Sequence, residues 1–163
     1  MSNTVIEVSK ENALEAFENS EGETKELLGN LLGKKNLALN IMERVKTYHN
    51  ACSELNISPL GSDAFSHILN AKDRAKVAAY HELTVIVRAL NEGWEPNFKK
   101  PEEIFMPMFG YRKSPVAGKL QFVFLQSDPL CNFSTSNGAQ LSLKNKILSD
   151  YAGRQFIELY GSI

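Results

Sequence analysis

The chain is poor in the residues from which compact metal sites and catalytic motifs are built. Its 163 residues include two cysteines, three histidines and one tryptophan. Cys52 and Cys131 are far apart and form neither a CxxC nor a CxxH pattern, so no zinc framework is expected and in a reducing compartment both are free thiols. Neither GxGxxG nor GxxxxGK[ST] occurs, which leaves no cradle for a nucleotide phosphate. No apolar run approaches the roughly 20 residues that cross a bilayer, and the N-terminus lacks the basic and apolar regions of a signal peptide. The expectation is a soluble, cytoplasmic protein with no membrane partner, no metal and no cofactor. Strong charge is missing too: the net value is −1, which gives no global basic footprint for nucleic acid.

What is present is ordinary globular material. Hydrophobic residues make up 43% and charged residues 23%, near the averages for folded domains, so one domain over 1–163 is expected, its core large enough to need no staple. Charge is uneven along the chain. Residues 1–33 hold seven Glu against two Lys, while 96–146 hold seven Lys or Arg against three acids, so electrostatic contacts with a partner are sided.

The longest patterned run, Ala71 to Trp94, organises the rest. Ala75, Ala79, Leu83, Ile86 and Leu90 recur at steps of three and four, with Val77, Tyr80 and Val87 widening the stripe, which predicts a central helix covered on more than one side. Gly93 and Pro96 predict its end at Asn91 or Glu92. Upstream, Thr4 to Val8 is a possible edge strand, and Ser9 caps a helix carrying Ala13, Leu14 and Phe17. A second helix places Leu27, Leu28, Leu31 and Leu32 on one face, expected to pack inward, before Gly33. Asn40 with Glu43 forms a capping box that opens a third helix through Val45, Tyr48, Cys52 and Leu55, stopped by Pro59 and Gly61.

Beyond Trp94 the period falls from 3.6 to 2. Ile104 to Tyr111 is strand-like and, because of Pro107, belongs at a sheet edge or a bulge; Leu120 to Leu125, Leu130 to Phe133 and Ala139 to Lys144 follow as antiparallel strands. Asn145 caps a closing helix with Leu148, Ala152, Phe156 and Leu159 on its stripe. The predicted class is α+β: N-terminal helices (1–93) and a long central helix packed on a small antiparallel meander (94–144), closed by a helix over 145–161.

The segments ERVKTYHNACSELNI (43–57), ALNEGWEPNF (89–98) and LSLKNKILSDYAGRQFIELY (141–160) together resemble a family of uncharacterised proteins encoded in phages and integrated elements of Bacteroides-like gut bacteria. Members carry an aromatic PWF-like patch where this chain has Phe105-Met106-Pro107-Met108-Phe109, here without Tyr or Trp, and a Gly-Phe-rich strand near Lys119 to Phe124. The resemblance implies a mobile-element context and carries no assigned activity.

Candidate chemistry is sparse. His49 and Cys52 lie three apart on a helix, but Cys52 sits on the apolar stripe, where a thiol behaves as a small hydrophobe. Cys131 has no Gly-rich turn or helix start beside it to activate it towards His49, His67 or His81. The central helix bears a polar strip, His81, Thr84, Arg88 and Asn91, with Glu82 and Glu92 beside it; such a strip is ordinarily a solvated face and would be functional if it lined a pocket. Phe105, Phe109 and Tyr111, with Phe122 and Phe124, combine with Arg112, Lys113 and Lys119 as aromatic and basic residues do on single-strand-binding sheets, although alternating aromatics are ordinarily core. The leading reading is a non-catalytic intracellular accessory or interaction protein with protein partners. A nucleic-acid-binding module using Phe105, Phe109, Tyr111, Arg112, Lys113 and Lys119 is the alternative, and an enzyme with a pocket at His81, Thr84, Arg88 and Asn91 the second.

Overall fold

The computed structural model describes residues 8–33, 36–37, 40–61, 63–97, 103–114, 119–130 and 139–163. Its backbone divides into two compact units, Met1–Arg44 and Val45–Ile163. Helices and one antiparallel hairpin make the class α+β.

In the first unit, α1 (Lys10–Glu18) starts where Ser9 Oγ accepts a bond from the Asn12 N–H at 3.2 Å, satisfying one donor that a helix start leaves open. Helix α2 (Gly22–Leu32) lies beside it, with Lys25 Nζ 4.9 Å from the Phe17 ring centre, and ends at Gly33 with φ +77°. The leucine face is not buried as expected: Leu28 and Leu32 are half-buried, whereas Leu27 and Leu31 are exposed. Four leucines at two adjacent pairs of positions span more circumference than one neighbouring helix covers. The capping box at Asn40 forms, its N–H donating to Glu43 Oε2 and its Oδ1 accepting from the Met42 N–H, both at 3.1 Å. It opens only a single turn, α3 (Ile41–Arg44). Of the expected Thr4 to Val8 strand, 4–7 lie outside the described residues.

The expected continuous third helix breaks at Val45, and α4 (Tyr48–Leu55) begins afresh in the second unit. Thr47 Oγ1 accepts from the Asn50 N–H while Asn50 Oδ1 accepts from the Lys46 N–H, a second reciprocal cap that competes with the first. The break is held from far along the chain. Tyr151 donates to the Val45 carbonyl at 2.7 Å and Gln155 to the Lys46 carbonyl at 3.1 Å. Asn56, left-handed at φ 54°, ends α4 before Pro59 is reached, with the Ile57 N–H returning to the Cys52 carbonyl.

Helix α5 (Ala71–Leu90) is the central element as read, capped by Asn70 and ended by Asn91, with Gly93 at φ +86°. Its burial begins at Ala79: Leu83, Ile86 and Leu90 are fully buried, while Ala75 and Val77, on the predicted stripe, are exposed. It packs chiefly on α4, on α7 (Ile157–Tyr160) and on a 3₁₀ turn, Ala139–Leu141. The sheet is covered instead by α6 (Lys146–Gln155), capped by Asn145 as expected. The closing helix is therefore two pieces, parted at Phe156.

The expected meander is, among the described residues, a two-stranded hairpin. Strands β1 (Ile104–Lys113) and β2 (Leu120–Leu130) pair antiparallel, with Met108 opposite Gln126 and Phe109 opposite Phe124, so Leu125 is the extra residue of a bulge. Pro107 is accommodated beside it, as an edge strand allows. Residues 131–133 of the third expected strand lie outside the described residues. The fourth, Ala139 to Lys144, is a correction: it makes a 3₁₀ turn and one bridge, Leu143 to Phe105. A second strand cannot pair on its far edge because the Asn91 amide fills that place, donating to the Ser142 carbonyl at 2.9 Å and accepting from the Lys144 N–H at 3.1 Å. Glycine is needed at 153, where a Cβ would stand within 3 Å of Phe124 and Pro107.

Candidate functional site

The hairpin sorts its aromatic residues by position along its length. Near α6 and α7, Phe109 stacks on Phe122 at 5.0 Å between ring centres and lies 4.8 Å from the Tyr160 ring and 6.0 Å from Phe124. The Arg154 guanidinium lies 4.8 Å from the Phe124 ring centre. Burial pushes the Tyr160 phenol well above its ordinary pKa. These rings form the packing between hairpin and helices. Phe105 is half-buried, tied through its backbone to Leu143.

Farther out the same face leaves the helices. Tyr111 keeps its ring 5.6 Å from Phe122 but is 70% exposed, as is Leu120. Arg112, Lys113 and Lys119 are all exposed around them, and the Ser114 N–H donates to the Lys119 carbonyl at 2.8 Å, holding the strand ends together. No Asp or Glu occurs from Ile104 to Ser127. The predicted set is thus divided: Tyr111 and Lys113 share one face of the hairpin end, Arg112 between them projects from the other face, Lys119 is exposed where β2 begins, and Phe109 belongs to the packing. Leu120, which the sequence reading did not include, joins the open group; it lies opposite Lys113 in the strand register.

The polar strip of α5 comes apart in the same way. Asn91 is buried in its structural bonds to Ser142 and Lys144. Thr84 Oγ1 donates to the Tyr80 carbonyl, and Arg88 is exposed. Glu92 receives a bond from Lys144 Nζ at 3.1 Å. Only His81, with Glu82, lines a concavity of about 140 Å³ shared with Tyr48, Leu60, Gly61, Phe65, Arg74 and Ala78. Tyr48 Oη receives the Leu60 N–H at 3.1 Å and stands 3.5 Å from His81 Nε2; the Phe65 ring meets His81 edge-on at 6.0 Å. Burial, with Cys52 and Glu82 nearby, raises the Tyr48 pKa despite the Leu60 bond, so the phenol stays neutral.

Cys52 is buried beside Tyr48 as a free thiol, while His49 is exposed, so the pair does not converge on a site. Cys131 lies outside the described residues. Where β2 meets α6, the buried Ser127 hydroxyl lies beside Asp150 without a bond of good geometry. Burial opposes ionisation of Asp150, but the bond from Lys146 at 2.8 Å, with Ser127 and Arg154 close, outweighs it and holds the carboxyl below its ordinary pKa. Among the described residues no three His, Cys, Asp or Glu side chains cluster to hold a metal, and no helix is long and apolar enough to cross a membrane. Comparison of the chain with family models, curated proteins and solved structures finds no match.

Proposed function

We propose that this protein is a non-catalytic accessory protein, in the mobile-element setting its resemblance implies, and that the open end of the hairpin is its contact surface for single-stranded nucleic acid. The observation that carries this reading is the conjunction of Tyr111 and Leu120, each 70% exposed, with three exposed cations on a hairpin that has no acid from Ile104 to Ser127. An exposed aromatic ring offers a base a stacking platform, and cations beside it neutralise the phosphates on either side. One ring with Lys113 on its own face, and with Arg112 on the other face and Lys119 at the start of β2, makes a short footprint that a strand must wrap around the hairpin end to cover. Binding is therefore weak and tolerant of sequence.

The test is fluorescence anisotropy of labelled oligonucleotides against the purified chain over a salt series. Three phosphate contacts on a single strand give a log–log salt slope of about −2. Arg112→Glu, Lys113→Glu and Lys119→Glu together should abolish binding, and Tyr111→Ala should weaken it by about 1–3 kcal/mol, the worth of one stacked base. No binding at low salt, or binding indifferent to the triple reversal, overturns the proposal and turns the same surface towards an acidic protein partner.

A further inference from the structure

The concavity beside α5 has features that the hairpin reading does not use. Arg74, Ala78, His81 and Glu82 stand at i, i+4, i+7 and i+8, on one stripe of the helix. Arg74 and Glu82 are about 12 Å apart along the axis at 1.5 Å per residue, and the side chain in the turn between them is alanine. The opposite charges flank a gap rather than meeting. Both residues are half-buried, and among the described residues neither the guanidinium nor the carboxylate has an ion-pair or hydrogen-bond partner. Charges that have lost part of their water without gaining a partner are costly to keep unless something else supplies one. Phe65 and Leu60 provide an apolar wall, and Tyr48, anchored by the Leu60 N–H, turns its hydroxyl towards His81.

We propose that this concavity binds a small zwitterion with an apolar side chain, of the size of a free amino acid. Its carboxylate would pair with Arg74, its ammonium with Glu82, and its side chain would lie against Phe65 and Leu60. Size supports the class: about 140 Å³ is well under the roughly 300–1,000 Å³ of a drug-sized site, and too small for a nucleotide. A ligand with one charge leaves the other side chain unsatisfied, so both charges are required together. Site and hairpin surface are separate, and neither proposal depends on the other.

The probe is L-leucine, titrated into the full-length chain while amide chemical shifts and the melting temperature are followed. The expected result is saturable shifts confined to residues 48–82 and a rise in melting temperature at millimolar ligand. 3-Methylbutylamine and 4-methylpentanoate, each lacking one charge, should bind at least tenfold more weakly. Arg74→Gln and Glu82→Gln should each weaken L-leucine tenfold or more, and Arg88→Gln, exposed on the same helix, should not. The analogue series needs no variant, so it decides the matter even if a substitution unfolds the protein. Absence of saturable shifts with L-leucine or any other apolar amino acid at 10 mM overturns the proposal, as does equal binding of the singly charged analogues.

Discussion

At the scale of one residue, Asn91 does the most. Its amide takes the place of a strand, its N–H donating to the Ser142 carbonyl and its oxygen accepting from the Lys144 N–H, while Leu143 between them exchanges both backbone bonds with Phe105 at 3.0 and 2.9 Å. The segment is thus paired on both edges, by a strand on one side and a side chain on the other. Asn91 is 4% exposed, so water does not replace it. Asn91→Ala leaves two main-chain groups without partners at about 1–3 kcal/mol each, and an expected loss of about 2–6 kcal/mol follows. Asn91→Asp keeps the acceptor and loses the donor, and should cost less than alanine only below the carboxyl pKa, where the protonated acid regains a donor. Denaturant unfolding followed through Trp94 measures both; an alanine variant within 0.5 kcal/mol of the parent would show that the amide bonds are incidental.

At the scale of elements, the seat of α6 on the hairpin turns on Gly153. In an open helix, alanine is better than glycine by about 1 kcal/mol. Here its methyl would press on the Phe124 ring and on Pro107, and that ring is itself held between Phe109 and Arg154. Overpacking of this kind costs about 1–3 kcal/mol, so Gly153→Ala should destabilise; a gain in melting temperature would refute the tight seat. Elements whose signals are local were legible in the sequence: the caps at Ser9, Asn40 and Asn145, the long period of α5, and the first two strands. Those decided by distant partners were not. The break at Val45 is held by Tyr151 and Gln155 from α6, and the Ala139 to Lys144 run alternates as a strand does yet pairs with Asn91. The candidate sites follow the same rule. Charge and aromaticity at Tyr111 to Lys113 are visible in order along one strand, whereas the concavity draws on α4, the following loop and α5, and of the predicted strip only His81 reaches it.

At the scale of the whole molecule, the near-zero net charge conceals two opposed halves. Residues 1–44 hold eight acids and five cations, and 45–163 hold eleven acids and thirteen cations, so the charges are −3 and +2. A hairpin contact with nucleic acid works with the second value and against the first. How strongly the first acts depends on screening, since the Debye length is about 8 Å at 0.15 M salt and about 30 Å at 0.01 M. The Val45–Ile163 fragment, rid of that net acidity, should therefore bind single-stranded oligonucleotide at least as tightly as the full chain at both salt concentrations, with the larger gain at 0.01 M. Circular dichroism of the fragment, compared with the full chain, establishes that it has folded, and anisotropy at the two salt concentrations then gives the comparison. Weaker binding by a folded fragment at either concentration would place part of the nucleic-acid contact in residues 1–44, despite their acidity, and the hairpin end would no longer account for the whole interaction.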